Sequence, residues 1–290
     1  MVRRVHSVTY LAKSGTRVLR CISKFVSKTT CKIIGASTRH FRNSNLLYKM
    51  ADTSPNPEGT ESSHYTVLDV NDWSEKYWKT GQIGFHKDYV HPLLLKYADK
   101  LTGGKPAQKI LVPLCGKTLD LKWIADQGHT VIGVEAVEQA VVEFFTEQNI
   151  EYSKETLTDI AGDLYKSSDG RISLYKCDVF DFNRSFKDKV DAVWDRAALV
   201  AINREDRERY ADLIKSVSAP ASRMFVVTLN YDPTLYGGPP HFVEDELIPK
   251  LYGSHYNVEI LDRLDSLEDK WKERGLTYFE EVLHFLSYKA

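Results

Sequence analysis

The chain has 290 residues, 42% of them hydrophobic, and a formal net charge of −1, enough to bury a substantial core as one domain with additions, or as two. The first 50 residues hold 6 Arg and 5 Lys with no acid, which leaves 28 basic against 40 acidic residues, a formal −12, for the remainder. An acidic body argues against nucleic-acid partners, which require clustered Lys and Arg, and no run of about 18 apolar residues supports a membrane span.

Residues 1–49 form a basic leader. "MVRRVHSVTYLAKSGTRVLRCISKFVSKTT" is rich in Arg, Lys, Ser and Thr, and Val5, Val8 and Leu11, then Val18, Leu19 and Ile22, can share helical faces. It resembles a mitochondrial transit segment, and a disordered extension without an address explains it equally well. Met50 opens "MADTSPNPEGTESSH", whose Pro, Gly and Ser make 50–70 a flexible linker and whose Met is a plausible internal start. A product beginning there is expected in the cytoplasm; a translated leader makes mitochondria the alternative. Cys21, Cys31, Cys115 and Cys177 show neither metal-ligand spacing nor a disulfide framework.

The domain proper is expected over 71–290. Strand patterns occur at 109–114, 130–134, 172–177, 190–194, 222–229, 257–262 and 278–287, with amphipathic helices between several of them. Val137, Val141, Phe144, Phe145 and Gln148 mark one such helix. Strands alternating with helices predict an α/β fold, a parallel sheet covered on both faces. In such a sheet the ligand lies beyond the carboxyl ends of the strands, at the switch point beside the first one.

The first strand runs out through "ILVPLCGK". Gly116 lets the backbone pass close to a ligand, and Leu121, Ile124 and Ala125 can pack the next helix on the sheet. Glu135, nineteen positions beyond Gly116, ends the second strand where a carboxylate can accept both hydroxyls of a ribose. A pyrophosphate would require several glycines and a free helix N-terminus; this turn has one glycine, which disfavours a dinucleotide-dependent oxidoreductase. A nucleoside without phosphate, such as S-adenosyl-L-methionine, matches better, and a bare structural turn with a solvated Glu135 matches as well. The third strand ends in Asp178 and Val179, placed for an adenine amino group and ring or for an ordinary turn. The fourth ends in Asp195 and Arg196, expected to pair with each other or to meet a ligand, and Asn203 is the expected cap of the following helix.

"LCGKTLDLKWIADQGHTVIGVE", "EFFTEQN", "WDRAALVAI", "NYDPTLYGGPP" and a C-terminal Trp/Phe-His pattern, five motifs in order from about Trp73 to Tyr288, together resemble the thiopurine S-methyltransferase family. The resemblance implies a Rossmann-like class I methyltransferase with a seven-stranded, mostly parallel sheet and helices on both faces. It implies an enzyme that methylates aromatic or heterocyclic thiols such as thiopurines, with S-adenosyl-L-methionine as cofactor, no metal, a small-molecule thiol acceptor as partner, and a monomeric state. By the same resemblance Trp73, Trp78 and Phe85 close over the cofactor, Leu114 and Gly116 contact its methionine part, and Glu135 takes the ribose. Asp178 and Val179 bound the adenine; Arg196 stands near the reacting sulfur as the catalytic residue; Phe85, Pro239, Pro240 and Lys270 line the acceptor pocket.

Two departures stand out. The family spaces its lid tryptophans as W-x3-W, whereas "WSEKYW" has four residues between them, so a regular helix would turn Trp73 by about 100° from that register. Lys270 occupies a position where the family tends to have Arg, which weakens any bidentate contact to an acceptor. Alternatives kept open are a methyltransferase for small nucleophiles such as thiocyanate, sulfide or halide on the same fold, and a non-catalytic nucleoside-binding module.

Overall fold

A computed structural model of the protein describes residues 65–289; the basic leader and most of the linker lie outside the described residues. The strands are β1 (Lys109–Val112), β2 (Thr130–Glu135), β3 (Tyr152–Thr156), β4 (Asp163–Ser167), β5 (Ile172–Lys176), β6 (Val190–Arg196), β7 (Ser218–Asn230), β8 (Tyr256–Asp265) and β9 (Glu280–Tyr288). They form one nine-stranded sheet in the order β3-β4-β5-β2-β1-β6-β7-β9-β8. The pairs β5–β2, β2–β1, β1–β6 and β6–β7 are parallel, and β9 runs against both β7 and β8.

The seven expected strands are all present. The count is nine because β3 and β4 add an antiparallel hairpin at the edge, in register from Tyr152↔Ser167 to Thr156↔Asp163. All five residues of β3 are exposed, so it carries no apolar alternation; an edge strand with Lys154 and Glu155 is built to face water and discourage further pairing.

The central strands read as unbroken apolar runs because both faces are covered. Ile110 and Val112 face one core with the Pro92–Thr102, Leu119–Asp126 and Glu138–Glu147 helices; Leu111 faces the other with the Arg207–Val217 and Leu247–Tyr252 helices. β6 and β7 repeat the alternation, Trp194 and Phe225 on the first side, Val193 and Met224 on the second. Gly133 is required by close packing: a Cβ there would stand 2.4 Å from Leu174 and 2.9 Å from the Cys115 sulfur.

Residues 65–70 pack onto this body although composition puts them in the linker. Leu68 is buried, and the Asn203 side chain accepts from its N–H at 3.2 Å and donates to its carbonyl at 2.9 Å. Asn203 therefore does not cap the helix with its side chain, as expected, but holds this segment. The next stretch corrects the expectation for Trp73. Residues Trp73–Trp78 form a π-helix, in which each backbone bond closes one residue later than in an α-helix: Lys79 N–H donates to the Ser74 carbonyl at 3.0 Å and Gln82 N–H to that of Tyr77 at 2.9 Å. The wider turn absorbs the extra residue. Both tryptophans pack against Phe85, with ring centroids 5.9 and 6.0 Å away.

Candidate active site

The carboxyl ends of β1, β2, β5 and β6 open into a cavity of about 410 Å³, within the ~300–1,000 Å³ of small-molecule sites. After β1 the chain turns through Leu114 at φ +44° and Gly116 at φ +51°, braced by the Cys115 N–H donating to the Val134 carbonyl at 2.9 Å. Left-handed backbone at a non-glycine residue costs on the order of 1–3 kcal/mol and concentrates at functional sites. A second such residue, Ala197 at φ +63°, directly follows Arg196.

Glu135 closes the floor. Its two carboxylate oxygens each accept a backbone hydrogen bond at 2.8 Å, Oε2 from Gly116 and Oε1 from Val137. These fix the carboxylate across the glycine turn, yet burial outweighs them and pushes its pKa up. Cys115 lies beside it; burial, then the Glu135 charge, push the thiol well above its usual range, which suits packing and not nucleophilic attack. At the end of β5, Asp178 lines the cavity and caps the next turn, accepting from Phe180 N–H at 2.9 Å; Val179 is buried beside it.

Asp195 and Arg196 do not pair. Successive residues on a strand face opposite ways, so Asp195 turns inward to accept from Leu199 N–H at 3.0 Å and the Tyr210 hydroxyl at 2.7 Å, with burial raising it to about 6. Arg196 turns to the cavity and donates to the Phe85 carbonyl at 3.0 Å.

The remaining wall comes from the lid, with Trp73, Trp78 and Phe85, and from Pro239 and Pro240, each preceded by a cis peptide bond. Lys270 is the one expected residue outside the wall. Its ammonium donates to the Gly84 carbonyl at 3.3 Å and pairs with Glu268 at 2.6 Å, and Glu268 also pairs with Lys87 of the lid loop.

Several wall residues had no sequence signal. Lys117 bridges Glu143 at 2.8 Å and Glu147 at 2.6 Å. His86 is held low, by burial first and then by the Lys117 charge. Asp120 accepts from Trp194 Nε1 at 2.8 Å beneath the cavity, and the Arg209 guanidinium lies 4.0 Å over the Phe180 ring at the mouth. All of these contacts are long-range except the capping of loops, and spacing in the chain does not encode them.

The residues present suit S-adenosyl-L-methionine. A buried carboxylate aimed at a glycine turn, an exposed carboxylate with an apolar neighbour at the next strand end, and an aromatic lid are what a ribose, an adenine and a water-sensitive sulfonium require.

Comparison with known proteins gives the same direction. A family-wide profile described as Thiopurine S-methyltransferase matches residues 68–289. The thiopurine S-methyltransferase of Rattus norvegicus is 46% identical over 224 residues, covering 77% of this chain and 93% of its own, and the probable thiopurine S-methyltransferase of Danio rerio is 43% identical, covering 77% and 97%. Among solved structures, the Haemonchus contortus phosphoethanolamine N-methyltransferase 2 in complex with S-adenosyl-L-methionine superposes with a TM-score of 0.52 at 12% identity over 77% of this chain and 61% of that one. The Burkholderia thailandensis 1,6-didemethyltoxoflavin-N1-methyltransferase, with its substrate and S-adenosylhomocysteine bound, gives 0.50 at 16% over 76% and 87%. At such identities these two structures speak to the fold alone.

Proposed function

Because the chain belongs to the thiopurine S-methyltransferase family, we propose that its cavity serves methyl transfer from S-adenosyl-L-methionine to the sulfur of an aromatic or heterocyclic thiol, thiopurines among them. The observation that carries this reading is the placement of Glu135 and Arg196 in one cavity wall under one aromatic lid.

In this reading Glu135 accepts the ribose hydroxyls, Leu114 and Gly116 bound the methionine part, and Asp178 with Val179 bounds the adenine. The bound cofactor supplies a methyl group on a positive sulfonium, whose departure leaves a neutral sulfur. The chain's own share is alignment and dryness. Trp73, Trp78 and Phe85 exclude water, and Pro239 and Pro240 with Phe85 restrict the angle at which an acceptor sulfur enters. Orientation of this kind can remove about 7–11 kcal/mol of barrier at best, by the usual measure of effective molarity. Arg196, carrying N–H donors and a fixed charge, stabilises an acceptor thiolate; aromatic thiols ionise near neutral pH, so no dedicated base is needed.

Titration calorimetry with S-adenosylhomocysteine, followed by a methyl-transfer assay with a mercaptopurine, tests this function. Binding followed by formation of the thioether is expected. No heat at millimolar ligand overturns it, and a panel in which thiocyanate, sulfide or halide outruns every aryl thiol replaces the acceptor class. A monomer is the proposed working form, checked by light scattering against 33.2 kDa.

A further inference from the structure

Arg196 is fastened on two sides. Its Nη1 donates to the Phe85 carbonyl of the lid, and its Nη2 stands 3.7 Å from Oε1 of Glu281, on β9. That second distance is a charge contact and too long for a hydrogen bond. Both side chains are nearly withdrawn from water, 15% exposed for Arg196 and 10% for Glu281, so the attraction is weakly screened.

Glu281 is itself seated. His91 Nε2 lies 2.6 Å from its Oε2. The Leu93 N–H donates to His91 Nδ1 at 3.3 Å, which leaves the ring proton on Nε2 for the carboxylate. The His91 backbone N–H donates to Asp120 Oδ1 at 2.8 Å, the same carboxylate that takes Trp194 Nε1, and the His91 ring lies 5.5 Å from that of Trp194. Burial alone would raise Glu281; the His91 hydrogen bond and the Arg196 charge outweigh it and hold the carboxyl below its usual range. An ionised carboxylate is thus maintained behind the arginine, in a mount that reaches the cavity floor at Asp120.

We propose that Glu281, seated by His91, is the positioning residue for Arg196: it holds the guanidinium at the acceptor end of the cavity so that an aryl thiolate meets an N–H fork already oriented. The inference rests on the function proposed above. A guanidinium has five N–H donors in a rigid plane; with one on the lid carbonyl and its edge drawn toward Glu281, the orientation of the others is fixed. Without the carboxylate the side chain keeps its charge and loses its aim.

The test is a double-mutant cycle with Glu281→Gln and Arg196→Ala. Glutamine keeps the volume and an oxygen for His91 Nε2, but sets an amide donor against the guanidinium. Three quantities are read for each protein: kcat/KM for a mercaptopurine, the calorimetric Kd of that thiol for the enzyme saturated with S-adenosylhomocysteine, and the Kd of S-adenosylhomocysteine itself. In the Arg196 background E281Q is expected to lower kcat/KM about tenfold, the order expected of a misplacement well under 1 Å, and to weaken thiol binding, with S-adenosylhomocysteine affinity within about twofold. In the Arg196→Ala background E281Q is expected to change kcat/KM less than about twofold. Equal losses in both backgrounds, or no loss in the first, overturn the inference while leaving the function standing. A wild-type protein that methylates no aryl thiol overturns both. If E281Q does not fold, Glu281→Asp, which keeps the charge and retracts it by one methylene, completes the cycle with the same expected and refuting results.

Discussion

Replacing Glu135 by Gln separates the backbone contacts that its carboxylate makes from the ribose contact proposed for it. Both of its oxygens accept a backbone N–H, from Gly116 and Val137, at 2.8 Å. Glutamine offers one oxygen, so its amide must face one of those N–H groups, leaving a buried donor without an acceptor at a cost of about 1–3 kcal/mol to the unliganded fold. The second loss appears only with ligand. Ribose hydroxyls donating to a charged acceptor gain about 1.5–3 kcal/mol, against about 0.5–1.5 for a neutral one; over two hydroxyls, one of which loses its acceptor, the deficit is about 2.5–4.5 kcal/mol, or roughly 70- to 2,000-fold in Kd. Differential scanning fluorimetry reads the first and calorimetry with S-adenosylhomocysteine the second. Because burial lifts the Glu135 carboxyl and the ionised form accepts the hydroxyls, protons compete with the ligand: wild-type affinity should fall as pH drops through that raised value, and E135Q should not show this dependence. A folded E135Q protein that binds within about threefold of wild type would refute the ribose assignment.

Three further outcomes are expected. Asp195, buried and raised to about 6, binds a proton more tightly folded than unfolded, so its contribution to stability is complete below about pH 4 and is lost as pH rises to about 6, about 3 kcal/mol in all; Asp195→Asn, able to serve both Leu199 and Tyr210, should flatten the melting temperature over that interval, and an unchanged profile would discount the group. Gly116→Ala sets a Cβ 3.4 Å from the Trp78 ring at a φ of +51°, which should cost about 1–2 kcal/mol and weaken S-adenosylhomocysteine binding; a melting temperature equal to wild type would contradict it. Lys270→Met removes an exposed contact to Gly84 worth under about 1 kcal/mol, so acceptor KM should stay within about twofold, whereas a tenfold rise would make Lys270 a direct acceptor ligand.

What could be read in the chain was what is local. Ile110 to Val112, Val131 to Val134 and Ala192 to Trp194 are continuous apolar runs because their strands are covered on both faces, and the residues at or just beyond the ends of β1, β2, β5 and β6, Gly116, Glu135, Asp178 and Arg196, fall into one cavity because parallel strands place their carboxyl ends together. Strand β3 escaped because an exposed edge strand has no apolar periodicity to detect. The mount behind Arg196 escaped for a different reason: His91, Arg196 and Glu281 come from a helix start and two strands far apart in the chain, and only the sheet order, with β7 between β6 and β9, brings their side chains into reach. Of the two alternatives for Asp195 and Arg196, a mutual pair or a ligand, strand alternation rules out the pair and turns Arg196 alone to the cavity.

The segment from Trp73 to Trp78 also bears on how chains of this kind are compared. One residue more than a W-x3-W spacing, placed within a regular helix, shifts every ring beyond it around the axis. Here the backbone takes up the surplus by changing its pitch, so two proteins differing by one position in length can offer the same indole pair to the same ligand. In this chain a spacing of five positions still turns both indoles toward one phenylalanine ring, so the distance counted along the chain does not by itself say which way two rings face.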